Sequence, residues 1–327
     1  MRALITGITG QDGSYLAELL LAEGHEVHGI VRRVAGTPDP HASRFRIRDI
    51  LLRISLHHGD IQSLSSISEI VRTVRPDEVY HLAAQSHVAV SFEDPYGTSA
   101  TIYDGTHHLL TALRAHAPGA RLYNAATSEM FGAVREAPQT ETTPFYPRSP
   151  YAVAKVAAFH LVRLWREAYG LFGCSGILFN HESVRRGADF VTRKIARSAV
   201  RIAAGQEKEL RLGNLEARRD WGHAKDYVRA MPLMLRYSMP DDYVIATGED
   251  HSVRDFCRAA FARVGLDHQQ YVVVDPAFVR PAEVDVLRGD ATKARTVLGW
   301  QPTWSFSELV DELVQHEQRE LERETLR

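Results

Sequence analysis

A glycine-rich turn near the start of the chain constrains the fold more than any other feature. Gly7, Gly10 and Gly13 follow a short apolar run at residues 3–5, and a leucine-rich helical pattern follows them. Glycines at such a turn let the backbone approach a pyrophosphate, and the helix N-terminus supplies free N–H groups with partial positive charge. Strand, turn, helix and next strand fit within about 30 residues, the size of one βαβ unit. The segment therefore predicts a dinucleotide site.

The alternation of strands and helices continues through the first half of the chain. Strands are predicted near residues 55–56, 78–82 and 122–125, and helices over 64–74, 95–115 and 151–169. Such alternation predicts an α/β fold, a Rossmann-type doubly wound parallel sheet with helices on both faces. Beyond about residue 180 it weakens, which predicts a smaller α/β C-terminal substrate lobe. We therefore assign residues 1–180 to a dinucleotide-binding domain, to which some later segments return, and residues 181–327 to the substrate lobe.

The bulk composition argues against several other classes of protein. The net charge is -2, which is not that of a generic polyanion binder, so we expect no nucleic-acid partner. Cys174 and Cys257 have no neighbours at metal-ligand spacing, so a disulfide framework is not supported and a reducing compartment fits best. No window approaches the roughly 20 apolar residues of a membrane span. No basic leader precedes the first strand, and we expect a cytoplasmic protein without a membrane partner.

The end of the second predicted strand indicates which dinucleotide binds. Arg32 and Arg33 stand where NAD-specific enzymes place a carboxylate for the ribose 2′-hydroxyl. A guanidinium binds the 2′-phosphate of NADP through paired hydrogen bonds, whereas a carboxylate would repel it. The two arginines therefore favour NADP, although solvated surface arginines would give the same pattern. Asp60, after the third strand, is either an acceptor for the adenine amino group or a helix N-cap.

A tyrosine and a lysine one helical turn apart form a candidate catalytic pair. Tyr151 and Lys155 are spaced i, i+4, so their side chains lie on the same face of the predicted helix. A free phenol has a pKa of about 10 and is a poor base at neutral pH. We expect the charge of Lys155 to lower the pKa of Tyr151, and its ammonium to bind the nicotinamide ribose.

Polar residues also end the fifth predicted strand, at the sheet edge where open α/β folds bind ligands. The hydroxyls of Thr127 and Ser128 would reach a reacting sugar hydroxyl, or else cap a helix. Alcohol oxidation needs one acid/base group, whereas removal of water from the oxidised sugar needs a second. Glu129 suits that second role, unless it is a surface glutamate. The pattern favours a dehydratase over a plain dehydrogenase.

These motifs together resemble the extended short-chain dehydrogenase/reductase family. Longer strings are similar to the GDP-mannose 4,6-dehydratase family within it, at residues 7–16, 28–33, 81–88, 145–151, 178–183, 190–195, 219–228 and 280–285. The strings span nearly the whole chain and are far more specific than a glycine pattern. The resemblance implies an NADP-dependent enzyme that dehydrates a GDP-sugar and forms a homodimer or homotetramer.

The resemblance also implies roles for individual residues. It assigns the catalytic positions to Thr127, Glu129, Tyr151 and Lys155, to which we add Ser128 from its place on the strand. The predicted cofactor site comprises Gly7, Thr9, Gly10, Gln11, Asp12, Gly13, Arg32, Arg33, Asp60, Ile61, Leu82, Ala83, Ala84, Ser86, Tyr151 and Lys155. The predicted GDP-sugar site comprises Ser86, Asn180, Glu182, Lys194, Arg219, Arg280 and Glu283, and no metal site is predicted.

The implied mechanism has three steps. Tyr151 takes the proton of the sugar C4 hydroxyl while the C4 hydride passes to NADP. Glu129 removes the acidified C5 proton as water leaves C6. The stored hydride then returns to C6 and gives a 4-keto-6-deoxy sugar. Since NADP is regenerated in each cycle, we expect it to be held tightly.

Three departures from the family pattern keep alternatives open. Val184 replaces a proline, Ala126 replaces a serine, and residues 34–40 replace a serine-rich segment that serves cofactor and subunit contacts. Another GDP-hexose or a GDP-heptose is therefore an alternative substrate. A nucleotide-sugar 4-epimerase or 4-ketoreductase would use the tyrosine and lysine without Glu129. A non-catalytic NADP-sensing regulator would commonly lack one of that pair. The adjacent histidine pairs do not have the spacing of metal ligands.

Overall fold

The computed structural model describes residues 1–32, 42–278 and 282–326, so the predicted ligands Arg33 and Arg280 lie outside the described residues. Its strands are β1 (Arg2–Thr6), β2 (Glu26–Val31), β3 (Ser55–His58), β4 (Glu78–His81), β5 (Arg121–Thr127), β6 (Gly173–Leu178), β7 (Asn180–Glu182), β8 (Leu210–Leu212), β9 (Arg218–Arg219), β10 (Trp221–His223), β11 (Asp242–Ile245), β12 (His251–Ser252), β13 (Val272–Val274) and β14 (Val286–Leu287).

Helices connect and cover these strands. The α-helices are α1 (Gln11–Ala22), α2 (Leu64–Val74), α3 (Val88–Glu93), α4 (Pro95–Ser99), α5 (Gly105–His116), α6 (Pro150–Tyr169), α7 (Val191–Ala203), α8 (Ala224–Arg236), α9 (Val253–Ala262), α10 (Thr292–Leu298) and α11 (Phe306–Thr325). Segments of 3₁₀ helix span Ala42–Arg53, Ser128–Met130, His268–Gln270 and Pro276–Phe278, and a π-helical turn spans Ala100–Asp104.

Seven parallel strands form the main sheet, in the order β11-β6-β5-β4-β1-β2-β3. The order from β3 to β6 is that of a dinucleotide-binding Rossmann fold, which confirms the predicted fold class. The direction of winding reverses between β1 and β4. In open sheets of this kind, ligands bind in the crevice above the carboxyl ends of the strands at such a reversal.

Two cores cover the two faces of this sheet, and β1 shows why. Leu4 and Ile5 are both fully buried, and successive side chains of a strand point to opposite faces. Ile5 belongs to the core that includes Leu16 of α1, whereas Leu4 belongs to the core that includes Val71 of α2. Burial on both faces explains why the strand reads as an apolar run rather than as an alternating pattern.

A separate hydrophobic core lies among three small sheets outside the main sheet, and we call the elements around it the second lobe. β8 pairs with β13, β7 pairs with β10, and β9 lies between β12 and β14. Helices α7, α9 and α11 pack together through buried residues that include Ile195, Phe256 and Leu313. Capping boxes at Ser252 and Ser305 fix where α9 and α11 begin, because each serine and the acidic residue three positions later satisfy each other's backbone N–H groups.

The chain returns to the first lobe after it has entered the second. β11 extends the main sheet beside β6, with Val244 opposite Ile177. Asp220, between β9 and β10, accepts hydrogen bonds from the backbone N–H groups of Thr247 and Gly248 at 2.9 and 2.8 Å. The segment after β11 therefore links the main sheet to the strands of the second lobe.

One predicted helix is interrupted in the structure. None of the helices in the described ranges is long and apolar enough to cross a membrane. The helix predicted over residues 95–115 is divided, because the π-helical turn Ala100–Asp104 joins α4 to α5. The next residue, Gly105, lies close to Ile61. A Cβ at Gly105 would stand 2.8 Å from Ile61 Cγ1, so the glycine lets α5 approach the loop that follows β3.

Candidate active site

A cavity of about 1150 Å³ opens at the carboxyl ends of β1, β4, β5 and β6 and extends into the second lobe. The predicted residues that line it are Gly7, Thr9, Gly10, Gln11, Asp12, Gly13, Arg32, Ile61, Leu82, Ala83, Ala84, Ser86, Thr127, Ser128, Glu129, Tyr151, Lys155, Asn180, Glu182, Lys194, Arg219 and Glu283. The structure thus brings together positions predicted to bind cofactor, to act in catalysis and to bind substrate, although they are far apart in the chain. Asp60 is not among the lining residues.

The glycine turn is packed so closely that side chains do not fit. Gly7 has a φ of +76°, and a Cβ there would lie 2.9 Å from the backbone nitrogen of Ala83. A Cβ on Gly13 would lie 2.3 Å from the carbonyl oxygen of Gly7. Helix α1 begins directly after Gly10, which has no side chain to accept from its first N–H groups. The turn therefore presents backbone N–H groups to an anion at a helix N-terminus.

The loop after β4 is held against this turn by Thr6. The Thr6 hydroxyl accepts the N–H groups of Leu82 and Ala83 at 3.1 and 3.0 Å. It also hydrogen-bonds Nδ1 of His81 at 2.9 Å, and Nε2 of His81 hydrogen-bonds Thr106 at 3.1 Å. Burial, with the nearby charge of Lys155, lowers the pKa of His81 to about 3, so this histidine is neutral. It acts as a buried support beneath the dinucleotide turn.

The residues predicted to bind the adenosine end have different positions. Arg32 is exposed and lines the cavity just after β2. The carboxylate of Asp60 accepts the N–H of Gln62 at 2.9 Å. The N-cap of α2 is Ser63, which accepts the N–H of Ser66 at 3.3 Å, so Asp60 is not the N-cap. Its interaction with adenine stays a prediction.

The tyrosine and lysine lie at the start of α6. Ser149 caps this helix by accepting the N–H of Ala152 at 3.1 Å, so Tyr151 stands in the first turn. Both Tyr151 and Lys155 are 7% exposed. The ammonium of Lys155 donates to the carbonyl of Ala125 on β5 at 2.6 Å and lies 5.9 Å from the centre of the Tyr151 ring. The pair therefore faces the end of β5.

The expected effect of Lys155 on the phenol is not seen in the structure. Burial raises the pKa of Tyr151 to about 12, a hydrogen bond with Thr127 lowers it, and the charge of Glu129 raises it. Burial also lowers the pKa of Lys155 to about 8. The expectation of a lowered tyrosine pKa is therefore wrong, because the buried site penalises the phenolate more strongly than its polar neighbours stabilise it.

The end of β5 places a hydroxyl and a carboxylate next to Tyr151. Thr127 is the last residue of β5, and its hydroxyl accepts the N–H of Glu129 at 3.3 Å as well as contacting Tyr151. Thr127 therefore caps the 3₁₀ helix Ser128–Met130 and also belongs to the site. Glu129 is half-buried, and its charge acts on the Tyr151 phenol. Ser128 is 2% exposed at the same edge.

The predicted substrate residues line the part of the cavity that the second lobe forms. Arg219 donates to the carbonyl of Val284 at 2.7 Å and pairs with Glu283 at 3.4 Å. Lys194 donates to the carbonyl of Arg211 at 2.8 Å. Burial lowers the pKa of Lys194. The predicted residues thus supply two cations to one region of the cavity.

Glu182, unlike Lys194 and Arg219, is bonded through its side chain to other side chains rather than to backbone carbonyls. It is 2% exposed, accepts the hydroxyl of Thr192 at 2.7 Å and pairs with Arg186 at 3.3 Å. Asn180, two residues earlier on β7, lines the cavity.

Several lining residues were missed by the sequence analysis. His181 and Arg186 flank the predicted Glu182, and both line the cavity. His87 packs its ring against Phe190, with centroids 5.5 Å apart, where the two lobes meet. Both histidines lie inside strings that carry the family resemblance, so that similarity was the available signal. Their orientation into the cavity depends on tertiary contacts.

Comparisons with known proteins agree with this architecture. A family profile described as GDP-mannose 4,6 dehydratase matches residues 4–313. The chain is 50% identical to GDP-mannose 4,6 dehydratase 2 of Arabidopsis thaliana over 98% of this chain and 88% of that protein.

Two solved structures share the fold. UDP-glucose 4-epimerase of Thermus thermophilus, in complex with NAD, superposes with a TM-score of 0.83 at 29% identity, covering 97% of this chain and 99% of that one. The dTDP-glucose 4,6-dehydratase DesIV of Streptomyces venezuelae, with NAD bound, gives 0.84 at 25% identity, covering 100% and 98%. Both are similar over their whole length. Because the family profile matches residues 4–313 and the Arabidopsis protein is 50% identical over nearly the whole chain, the chain belongs to the GDP-mannose 4,6-dehydratase family.

Proposed function

We propose that this protein is an NADP-dependent hydro-lyase that converts GDP-mannose to GDP-4-keto-6-deoxymannose. The observation that carries the proposal is the grouping of Tyr151, Thr127 and Glu129 in one cavity beside a dinucleotide turn. Two acid/base groups at one site are what oxidation followed by water removal requires. Relatives of the whole chain carry the name of this activity.

The residues present fit a nicotinamide dinucleotide. The pyrophosphate would lie on the glycine turn, which lines the cavity and where α1 begins directly after Gly10 with no side chain capping its first N–H groups. Lys155, which lines the same cavity, would bind the nicotinamide ribose. When bound, the oxidised nicotinamide supplies a hydride acceptor for sugar C4, and its reduced form supplies the hydride for C6.

Arg32 supports the choice of NADP over NAD. It is exposed, lines the cavity and follows β2, the strand whose end receives the adenosine ribose in this fold. A guanidinium there would bind a 2′-phosphate. Arg33 would add a second cation, and it lies outside the described residues.

Tyr151 would accept the proton of the C4 hydroxyl. Because burial raises the pKa of this phenol to about 12, a cation must stabilise the phenolate when substrate is bound, and Lys155 is the cation one helical turn away. The hydroxyl of Thr127 hydrogen-bonds the phenol and orients it. These three side chains move one proton away from the C4 oxygen.

Glu129 would then carry out the elimination. A ketone at C4 acidifies the proton on C5, and the Glu129 carboxylate, whose charge acts on the Tyr151 phenol, would remove it. The carboxyl group formed in this way can donate that proton to the C6 hydroxyl, which leaves as water. The same residue thus acts as base and acid in turn. When C6 receives its hydride, C5 must regain a proton, and the Tyr151 phenol, which holds the proton taken from the C4 hydroxyl, would supply it and return to its starting form.

The second lobe would hold the GDP part of the substrate. Lys194 and Arg219 provide charge for a diphosphate, and Asn180, Glu182 and Glu283 supply polar groups for the sugar. Arg219 is kept in place by the Val284 carbonyl and Glu283. The Arg219 guanidinium would therefore already be oriented before the substrate binds.

The direct test is to incubate the enzyme with GDP-mannose and record product mass. The expected product is lighter by one water and carries a ketone, with no net consumption of NADP. With GDP-mannose deuterated at C4, the label should appear at C6 of the product. A 4-epimerase or 4-ketoreductase would give no loss of water. Dehydration of another GDP-hexose or a GDP-heptose in preference to GDP-mannose would show that the substrate is a different sugar.

We also propose a homodimer or homotetramer that works in the cytoplasm. Large apolar side chains are exposed on α6 and α4, among them Val153 at 55%, Leu164 at 54% and Tyr96 at 83%. A contiguous apolar surface would be a candidate contact with a second subunit, whereas scattered apolar residues are ordinary on a protein surface. Light scattering after size-exclusion chromatography would give the mass, and a monomer at micromolar concentration would contradict this assembly.

A further inference from the structure

Asp220 is a buried carboxylate that stands between two cavity-lining residues and takes no part in the proposed chemistry. It connects β9 to β10 and is fully buried. Arg219, at the end of β9, and Trp221, at the start of β10, line the cavity, whereas Asp220 does not. Successive side chains of an extended segment point to opposite sides. The carboxylate therefore lies behind the wall that its two neighbours form.

This carboxylate joins three segments of the chain through hydrogen bonds. One oxygen accepts the N–H and the hydroxyl of Thr247 at 2.9 and 2.7 Å. The other accepts the N–H of Gly248 at 2.8 Å and, more weakly, that of Gly289 at 3.4 Å. Thr247 and Gly248 follow β11 of the main sheet, whereas Gly289 follows β14, which pairs with β9. Both oxygens of Asp220 are thus used.

The backbone around Asp220 is attached to the same region. The N–H of Asp220 donates to the carbonyl of Leu287 on β14 at 2.9 Å. Arg219 donates its guanidinium to the carbonyl of Val284, just before β14, at 2.7 Å. On the other side, Trp221 stands opposite Asn180 of β7. The Asp220 carboxylate is therefore a direct link between the loop after β11 and the corner that carries Arg219.

The surroundings of Asp220 suit a carboxylate and not an amide. Burial raises the pKa of Asp220 to about 6, although the hydrogen bonds from Thr247, Gly248 and Gly289 lower it. An asparagine has one acceptor oxygen, so its NH₂ group would face backbone N–H groups on one side. Asp220→Asn therefore breaks half of the link while it keeps the shape and volume of the side chain.

We propose that Asp220 is a positioning residue that fixes Arg219 relative to the main sheet, and so places the GDP diphosphate relative to the catalytic residues. The inference rests on the proposed function, in which Arg219 binds the diphosphate. Thr127 and Glu129 stand at the end of β5, and β11 is joined to β5 through β6. Asp220 lies behind the cavity wall, so it acts only through Arg219 and the loop that follows β11.

The test measures ligand binding and turnover by Asp220→Asn in the full-length enzyme. A shift of Arg219 by about 1 Å would break hydrogen bonds to a diphosphate. We therefore expect the Kd of GDP and the KM of GDP-mannose to rise by at least about tenfold. At saturating GDP-mannose, kcat should stay within about fivefold of the wild-type value, since the groups that transfer protons are unchanged. The Kd of NADP should stay within about threefold.

A second, gentler variant acts on the same link from the other side. Thr247→Val removes only the hydroxyl that donates to Asp220 and leaves the backbone N–H in place. It should raise the Kd of GDP by about threefold, less than Asp220→Asn does. Because the two changes affect the same contact, their effects should not add in the double variant.

Asp226→Asn is the matched control. Asp226 is 1% exposed, and its carboxylate also accepts several hydrogen bonds, from the N–H and hydroxyl of Thr303 and from the N–H of Trp304. It connects α8 to the segment before α11, and neither Asp226 nor its two neighbours in the chain line the cavity. The control should lower the thermal stability as Asp220→Asn does, yet leave the Kd of GDP within about threefold of the wild-type value.

Three outcomes would overturn the inference. Folded Asp220→Asn and Asp226→Asn with the same affinity for GDP would show that Asp220 has a structural role only. Equal losses of GDP and NADP affinity in Asp220→Asn would show the same. If Asp220→Asn does not fold, a wild-type Kd of GDP in Thr247→Val would decide against it. A wild-type enzyme that binds GDP but removes no water from GDP-mannose would instead contradict the proposed function, so the two failures are distinguishable.

Discussion

The Glu129 carboxylate and the Tyr151 phenol line the same cavity from two different elements, the 3₁₀ turn after β5 and the first turn of α6. After burial and the Thr127 hydrogen bond, the charge of Glu129 is the next largest influence on the pKa of Tyr151. In the proposed function, these two groups act on neighbouring carbons of one sugar. This proximity separates a dehydratase site from a site that only oxidises and reduces.

Replacement of Glu129 by glutamine should stop the elimination and spare the oxidation. We expect water loss from GDP-mannose to fall by at least about 100-fold, because the base for the C5 proton is gone. Reduced nicotinamide should then accumulate during a single turnover, which absorbance would record. Glu167→Gln, on the exposed side of α6, serves as the control. Wild-type turnover by Glu129→Gln would show that another group removes the C5 proton.

Replacement of Tyr151 by phenylalanine should stop the reaction one step earlier. Removing the hydroxyl leaves no acceptor for the C4 proton, so turnover should fall by about 1000-fold. Reduced nicotinamide should not accumulate in this variant, in contrast to Glu129→Gln. Stopped-flow absorbance compares the two. Accumulation of the reduced form with Tyr151→Phe would assign the first proton transfer to a different residue.

The close packing of the glycine turn predicts a clear steric effect. A methyl group at Gly13 would meet the Gly7 carbonyl at 2.3 Å and Ile8 Cα at 2.7 Å, and backbone atoms cannot rotate away. Gly13→Ala should abolish dinucleotide binding and lower the free energy of unfolding by about 1–3 kcal/mol. Gly119→Ala is the control, since a Cβ there meets nothing within 4 Å. Urea denaturation and cofactor titration measure both effects, and equal behaviour of the two variants would contradict the packing argument.

The preference for NADP should depend on Arg32. Arg32→Ala should weaken NADP binding by about 10- to 100-fold and leave NAD binding within about threefold, because only NADP has the 2′-phosphate. Arg48, which pairs with Asp49 at the surface, provides a control substitution to alanine. Equal losses for the two dinucleotides would mean that Arg32 does not contact the phosphate.

The buried His81 should make the fold sensitive to acid. Its pKa is about 3 in the folded protein, with burial as the main cause, against 6.5 for a free histidine. The unfolded chain therefore binds the proton first as the pH falls, so stability is complete above about pH 6.5 and decreases towards about pH 3. Between about pH 7 and 5 the loss from this residue is about 2 kcal/mol.

His81→Asn should lower stability at neutral pH, since hydrogen bonds to Thr6 and Thr106 are changed. It should also flatten the pH dependence by about the amount attributed to the imidazole. Urea denaturation at several pH values measures the slope directly. Parallel curves for the variant and the wild type would exclude His81 as the source.

The first lobe was predictable because local patterns there agree with the tertiary structure. Glu26–Val31 and Leu64–Val74 have the predicted bounds, and the helix over 151–169 begins only one residue earlier than expected. β6 and β11 were not predicted. Both are short buried strands, and β6 begins with a glycine and β11 with an acidic residue. They are defined as strands by tertiary pairing, since β6 pairs with β5 on one side and with β11 on the other.

Two groups of predicted site residues are local in sequence, and both line the cavity. Tyr151 and Lys155 are one turn apart on a single helix, and the three glycines form one turn. The hydrogen bond between Asp12 and His181 joins residues 169 positions apart, and no spacing rule connects them. The direction of the Tyr151 pKa shift could also not be predicted from the sequence, because burial is a property of the assembled fold.

The position of β11 has a consequence for how the gene could be divided. A fragment that stops at residue 180 would lack β11 and leave β6 as an open edge, although every residue of β6 is buried in the intact protein. An uncovered apolar edge strand recruits other chains. The nucleotide half of this enzyme is therefore not a transplantable module, and shuffling of lobes between relatives should succeed only when residues 242–245 travel with the first 180.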